Sequence, residues 1–98
     1  MAYDKAASMY LNIGNKKSAA ECYYILKEYY KAADLFVEIG EFSRSIECLD
    51  LLEDWSRVLE VINILKPKMT FKQREMYIKR YAPLALEELV ANVGLSGI

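Results

Sequence analysis

The chain has 98 residues, 54% of them apolar and 28% charged, with a formal net charge of −1. An apolar content that high excludes a disordered chain, and the length allows one domain with a modest core. The balanced charge makes no general case for nucleic acid, and no apolar run reaches the roughly eighteen residues of a membrane span; no secretory leader is expected either.

Residues 1–65 read as five consecutive blocks of 13 residues: MAYDKAASMYLNI, GNKKSAAECYYIL, KEYYKAADLFVEI, GEFSRSIECLDLL and EDWSRVLEVINIL. Column 3 of the aligned blocks holds Tyr3, Lys16, Tyr29, Phe42 and Trp55. Columns 6 and 7 begin as Ala pairs, Ala6-Ala7, Ala19-Ala20 and Ala32-Ala33, and enlarge to Ser45-Ile46 and Val58-Leu59. Column 10 is Tyr10, Tyr23, Phe36, Leu49 and Ile62, and column 13 is Ile13, Leu26, Ile39, Leu52 and Leu65. The spacing 3, 6, 7, 10, 13 follows one face of a helix, so each block is one short helix of about ten residues. Small residues in columns 6 and 7 let a neighbouring helix approach closely. Gly14 and Gly40 open alternate blocks, Lys27 and Glu53 the others, and Cys22 and Cys48 share column 9 of the Gly blocks. Two blocks therefore make one 26-residue unit: helix, Gly turn, helix, non-Gly turn. Short connections make neighbours antiparallel, and the expected architecture is all-α, a stack of short helical hairpins.

In chain order, the first helix covers about residues 3–13, with Tyr3, Ala6, Ala7, Tyr10 and Ile13 as its buried stripe. The second, about 16–26, puts Lys16 where other blocks have an aromatic, its methylene stem able to lie over the core. Tyr24 stands beside the stripe rather than in it. The third, about 29–39, carries Tyr30 in column 4, where other blocks have Asp4, Lys17, Ser43 and Ser56. Tyr24 and Tyr30 are either partner contacts or packing between successive hairpins. Column 12, polar at Asn12 and Glu38 but apolar at Ile25, Leu51 and Ile64, tells one helix layer from the other, with Asn12 and Glu38 wet. Asp54 is a plausible N-cap for the fifth helix. Glu21, Asp34, Glu47 and Glu60 recur in column 8, with Lys31, Arg44 and Arg57 one turn before the last three; these read as solvated faces.

The repeat ends at Leu65, where Lys66-Pro67-Lys68 breaks the pattern. Thr70 with Gln73 forms a capping box for a helix over about 71–81. A break near Tyr81–Ala82 is expected, with Pro83 in the first turn of a last helix carrying Leu86, Leu89, Val90 and Val93 and ended by Gly94. Residues 1–65 thus form the repeats, and residues 66–98 a basic linker and two terminal helices packed on them in the same domain. Residues 66–81 hold six Lys or Arg, among them Lys72, Lys79 and Arg80, against Glu75 alone. This segment would steer an acidic partner, and with Tyr24, Tyr30 and Tyr77 it supplies the candidate contact residues.

Chemistry is sparse. The chain has no His, so the commonest general base and metal ligand is missing. Cys22 and Cys48 lie one hairpin apart, too far for a bridge, and read as free buried thiols in a reducing compartment. There is no phosphate loop, nucleophile elbow or ordered acid pair. No catalytic, cofactor or metal site is expected.

The block form G-x-Y/F-x-x-A-x-x-L/C-Y/F, seen from Gly14 to Tyr23, from Gly40 to Leu49 and loosely from Lys27 to Phe36, resembles tetratricopeptide-type repeats. The 26-residue unit is shorter than the usual one of about 34, which makes it similar to the degenerate helical solenoids that follow WD-repeat domains in intraflagellar-transport and vesicle-coat proteins. The resemblance covers about two-thirds of the chain. It implies a right-handed, tetratricopeptide-like α-solenoid with a C-terminal helical cap, and a non-catalytic protein-interaction scaffold, a fragment of a larger transport, coat or assembly protein in a cytoplasmic or ciliary complex. The implied partners are another protein or neighbouring solenoid segments, with self-association or a spacer role as the alternative; nucleic acid is not expected. No family site residue carries over.

Overall fold

In the computed structural model, which describes residues 2–96, and side chains through residue 91, a helix starts at column 3 of every block. The helices are α1 (Tyr3–Asn12), α2 (Lys16–Ile25), α3 (Tyr29–Glu38), α4 (Phe42–Leu51) and α5 (Trp55–Leu65), followed by a 3₁₀ turn (Lys66–Lys68) and α6 (Phe71–Ser96). Among the described residues there is no strand. The chain divides into two compact units, Met1–Asp54 and Trp55–Ile98. In the first, each helix packs on the next; in the second, α5 packs on α6.

The four turns between the first five helices are one structure repeated. Gly14 and Gly40 have φ of 82° and 77°, and Lys27 and Glu53 take the same left-handed conformation at 62° and 54°. At each, two backbone donors close the preceding helix. Gly14 N–H donates to the Leu11 carbonyl (3.1 Å) and Asn15 N–H to that of Tyr10 (2.7 Å). The equivalent pairs are Lys27 to Tyr24 with Glu28 to Tyr23, Gly40 to Val37 with Glu41 to Phe36, and Glu53 to Asp50 with Asp54 to Leu49. This is the Schellman closure, which satisfies carbonyls that a helix end leaves open. Glycine occupies it without strain, whereas a side chain there costs about 1–2 kcal/mol. Gly14→Ala is therefore expected to destabilise by about 1–2 kcal/mol although nothing lies within 4 Å of the added Cβ. Lys27→Gly should cause no loss, because relief of strain offsets the added chain entropy. Urea denaturation of the two variants checks the contrast, a loss for the first and none for the second. The turn is not repeated after α5, where Lys66 precedes Pro67 and Met69 N–H instead closes on the Lys66 carbonyl (3.1 Å).

The core follows columns 6, 7 and 10, with column 9 added, whereas column 3 is at most half-buried and column 13 is buried only at Leu65. Ala7, Ala19, Ala20, Ala32, Ala33, Ser45, Ile46 and Val58 are all buried, which places columns 6 and 7 at the helix contacts. Ser45, the polar member, donates its Oγ–H to the Ala33 carbonyl (3.2 Å), so its burial leaves no orphan hydroxyl. Column 9 is as deep: Cys22, Leu35, Cys48 and Val61 are buried beside Phe36, Leu49 and Ile62 of column 10. Expectations about side chains fail at two further places. On α1, Tyr10 and Ile13 of the expected stripe stay exposed, because no described element packs over that face as each inner helix is packed. In column 12, Ile25, Leu51 and Ile64 are exposed, as are Asn12 and Glu38, so exposure in this column does not tell the two layers apart.

The C-terminal part departs from expectation more plainly. The capping box forms: Gln73 N–H donates to Thr70 Oγ1 (3.1 Å) and Thr70 N–H to Gln73 Oε1 (2.9 Å). From there α6 runs unbroken through Pro83, with neither the break near Tyr81–Ala82 nor the stop at Gly94. There is one terminal helix instead of two. An interior proline loses one hydrogen bond and crowds the carbonyl four residues back, at a cost of about 3 kcal/mol. Packing on α5 both before and after Pro83 opposes that cost. Tyr81 is buried, its ring 5.8 Å from that of Trp55, and Ala82, Leu84 and Ala85 are half-buried. Val93 lies outside the described side chains.

Candidate functional site

The two tyrosines that depart from the repeat both hydrogen-bond to carboxylates about one repeat unit further on. Tyr24, half-buried on α2, donates its hydroxyl to Glu47 Oε2 on α4 at 2.5 Å. Tyr30, on the first turn of α3 and 44% exposed, donates to Asp54 Oδ2 at 2.7 Å. Asp54, expected as an N-cap, accepts from the phenol of Tyr30, 24 residues earlier. The ring of Tyr24 meets that of Tyr29 edge-on, with centroids 5.5 Å apart. Both phenols are thus engaged by carboxylates within the first unit.

Arg44 is the centre of this cluster. Its guanidinium lies 3.9 Å from Glu21 and 3.8 Å from Glu47, two column-8 carboxylates from alternate blocks. The same group stacks over the rings of Phe36 (4.7 Å) and Tyr24 (5.2 Å). The expected column-8 pair of Arg44 with Glu47 forms, and Lys31 reaches Glu28 (3.7 Å). Lys16 reaches Glu38 at 3.9 Å.

Two groups in the cluster are held protonated. The Tyr24 phenol is pushed above its ordinary value of 10.0, first because its proton is shared with the Glu47 carboxylate and then by burial. A folded-state pKa above the unfolded one adds stability that is complete below the ordinary tyrosine value and is lost as pH rises through the folded value. Ultraviolet titration of the phenols should therefore show Tyr24 ionising above its ordinary value, and Glu47→Gln should bring it down. Burial also lifts the Cys48 thiol to about 11, the Glu47 charge adding to the rise and Arg44 opposing it. Cys22 and Cys48 are both free and buried. Thiol labelling is expected to be slow at both until denaturant is added; rapid labelling of the native chain would contradict their burial.

The other candidate residues lie on α6. Tyr77 is half-buried and stacks on Tyr81 with centroids 6.4 Å apart. Lys79 pairs with Glu75 at 3.1 Å, Arg80 sits over the Tyr81 ring at 5.4 Å, and Lys72 is exposed. The six candidates thus fall in both units: Tyr24 and Tyr30 in Met1–Asp54, and Lys72, Tyr77, Lys79 and Arg80 in Trp55–Ile98. Charge divides with the units, since the first holds six Lys or Arg against ten Asp or Glu and the second seven against four.

Sequence reasoning missed the hollows of the second unit. Lys66, Arg74, Ile78 and Ala82 line one with α5, and Ala82, Leu86 and Leu89 line another. The basic segment and the leucine stripe are both visible in the sequence; their meeting along α5 is not, because the expected break at Tyr81 separates them. Among the described residues no group of three metal-ligating side chains occurs, and no helix is long and apolar enough to cross a membrane. No protein-family model, no curated protein and no solved structure matches the chain.

Proposed function

We propose that the chain is a non-catalytic protein–protein interaction scaffold, a tetratricopeptide-like α-solenoid segment with a 26-residue unit, working in a transport, coat or assembly complex of the cytoplasm or cilium. The observation that carries this reading is the turn repeated at Gly14, Lys27, Gly40 and Glu53 with the same two hydrogen bonds each time. A turn that recurs on a fixed period lets each hairpin stack on the one before it, which is how solenoids build extended binding surfaces. Scaffold rather than enzyme is supported by the state of the groups best able to do chemistry. The Cys48 thiol stays protonated in the core, and the Tyr24 proton is shared with Glu47. Exposed Lys72, Lys79 and Arg80 give the second unit a basic surface suited to an acidic partner.

An oligomerisation role is the second reading, favoured by one observation. Met9 on α1 and Ile13 just after it are 67% and 76% exposed, although the residues of the same columns on α5 are buried.

Affinity capture on the intact chain, followed by reconstitution with the purified captured protein, tests the first reading. A saturable complex weakened by Lys72→Glu with Lys79→Glu and Arg80→Glu is the expected result. A chain that forms no saturable complex, but dimerises through α1 in a way that Ile13→Asp abolishes, would replace the first reading with the second.

A further inference from the structure

The two hollows of the second unit are parts of one groove. One is lined by Ser56, Leu59, Ala82, Ala85, Leu86 and Leu89, and the other shares Leu59 and Ala82 with it and continues past Ile78 to Lys66 and Arg74. Their volumes are about 480 and 400 Å³. On α6 the lining positions 74, 78, 82, 85, 86 and 89 keep the three- and four-residue spacing of one helix face. At 1.5 Å per residue that face is roughly 22 Å long, the length of a helix of about four turns. The floor is apolar and open to solvent, with Leu86 and Leu89 each 60% exposed.

Charge gives the groove a direction. Its two cations, Lys66 and Arg74, stand at the same end. The carboxylates of the two helices, Glu60 on α5 and Glu75, Glu87 and Glu88 on α6, line neither hollow, and Glu75 is engaged by Lys79. A nucleic acid backbone would need cations along the whole length. An apolar trough with a cationic end instead matches an amphipathic helix laid in a groove, with carboxylates at one end to meet Lys66 and Arg74.

Resting on the scaffold reading above, we propose that the α5–α6 groove receives an amphipathic helix of about four turns from a protein partner, its apolar face on Leu59, Ile78, Ala82, Leu86 and Leu89 and its acidic end on Lys66 and Arg74. The occupant enters in one orientation, because reversing it would set its carboxylates against the leucine end, away from both cations.

The test uses the full chain and two fluorescein-labelled designed helices with identical leucine faces, one bearing two glutamates at one end and the other two lysines. Fluorescence anisotropy should show the glutamate probe binding at least about tenfold more tightly than the lysine probe. Leu86→Asp with Leu89→Asp should weaken it by about tenfold or more, and Lys66→Glu with Arg74→Glu should reverse the preference between probes. Both leucines are exposed, so circular dichroism should report an intact fold in that variant. Equal binding of the two probes, or binding indifferent to the leucine changes, would overturn the proposal. So would failure of both probes, which leaves the scaffold reading to the capture experiment. Sedimentation showing a dimer that Leu86→Asp with Leu89→Asp dissolves would overturn it too, by assigning the groove to a second copy of the chain.

Discussion

Phe36→Ala is expected to destabilise the chain by about 3–5 kcal/mol, the largest effect expected of a single truncation. Phe36 is fully buried in column 10 of α3, its ring lies under the Arg44 guanidinium at 4.7 Å, and its carbonyl accepts Glu41 N–H at the turn. Truncation removes the apolar area, leaves a cavity, and takes from Arg44 one of its two ring partners. For a domain whose whole stability is on the order of 5–15 kcal/mol, a loss of that size depletes the folded population. Tyr10→Ala is the internal control. It occupies the same column on α1, but with 36% of its surface exposed it should cost only about 1 kcal/mol. Urea denaturation followed by circular dichroism measures both; equal losses would contradict the column assignment.

The second large effect comes from adding atoms. Ala33 is 2% exposed, and its carbonyl accepts the Ser45 hydroxyl, so α3 and α4 meet at that point with no room for a longer side chain. Ala33→Leu should force the helices apart and cost about 1–3 kcal/mol. Ala20→Leu should act similarly between α2 and its neighbours, since Ala20 is fully buried. Melting of either variant within a degree or so of the parent would mean that columns 6 and 7 are not the contact line. Trp55 is only half-buried, so its truncation should cost less than that of Phe36.

Much of this is legible in the sequence for a physical reason: the helix period and the turn period are both short-range. Gly14 and Gly40 advertise a left-handed residue because they lack a Cβ, and the structure places one at each. Lys27 and Glu53 adopt the same conformation without any such signal; only the column they share with the glycines points to it. Thr70 and Gln73 are readable because a capping box is completed within one turn of helix. Pro83 misleads because the local penalty of an interior proline is visible in the sequence, whereas the packing of Tyr81 and Ala85 along α5 that opposes it is not. The candidate contacts show the same limit. Tyr24 and Tyr30 stand out as departures from the repeat, but their acceptors, Glu47 and Asp54, are brought to them only by the stacking of helices. The one clue to those acceptors in the sequence is that each is a carboxylate lying nearly one repeat unit further on. Lys66, Arg74, Leu86 and Leu89 each stand out in the sequence for charge or for apolar character, and only an unbroken α6 lays them along one groove.

The scaffold reading stands on the repeated turn, and backbone nuclear magnetic resonance of the full chain tests that turn most directly. Chemical shifts and φ-sensitive couplings should place helix starts at Tyr3, Lys16, Tyr29, Phe42 and Trp55, with positive φ at Gly14, Lys27, Gly40 and Glu53 alike. Helical shifts running uninterrupted through Lys27 or Glu53, or negative φ at those two residues, would contradict the block repeat and with it the stacked-hairpin scaffold.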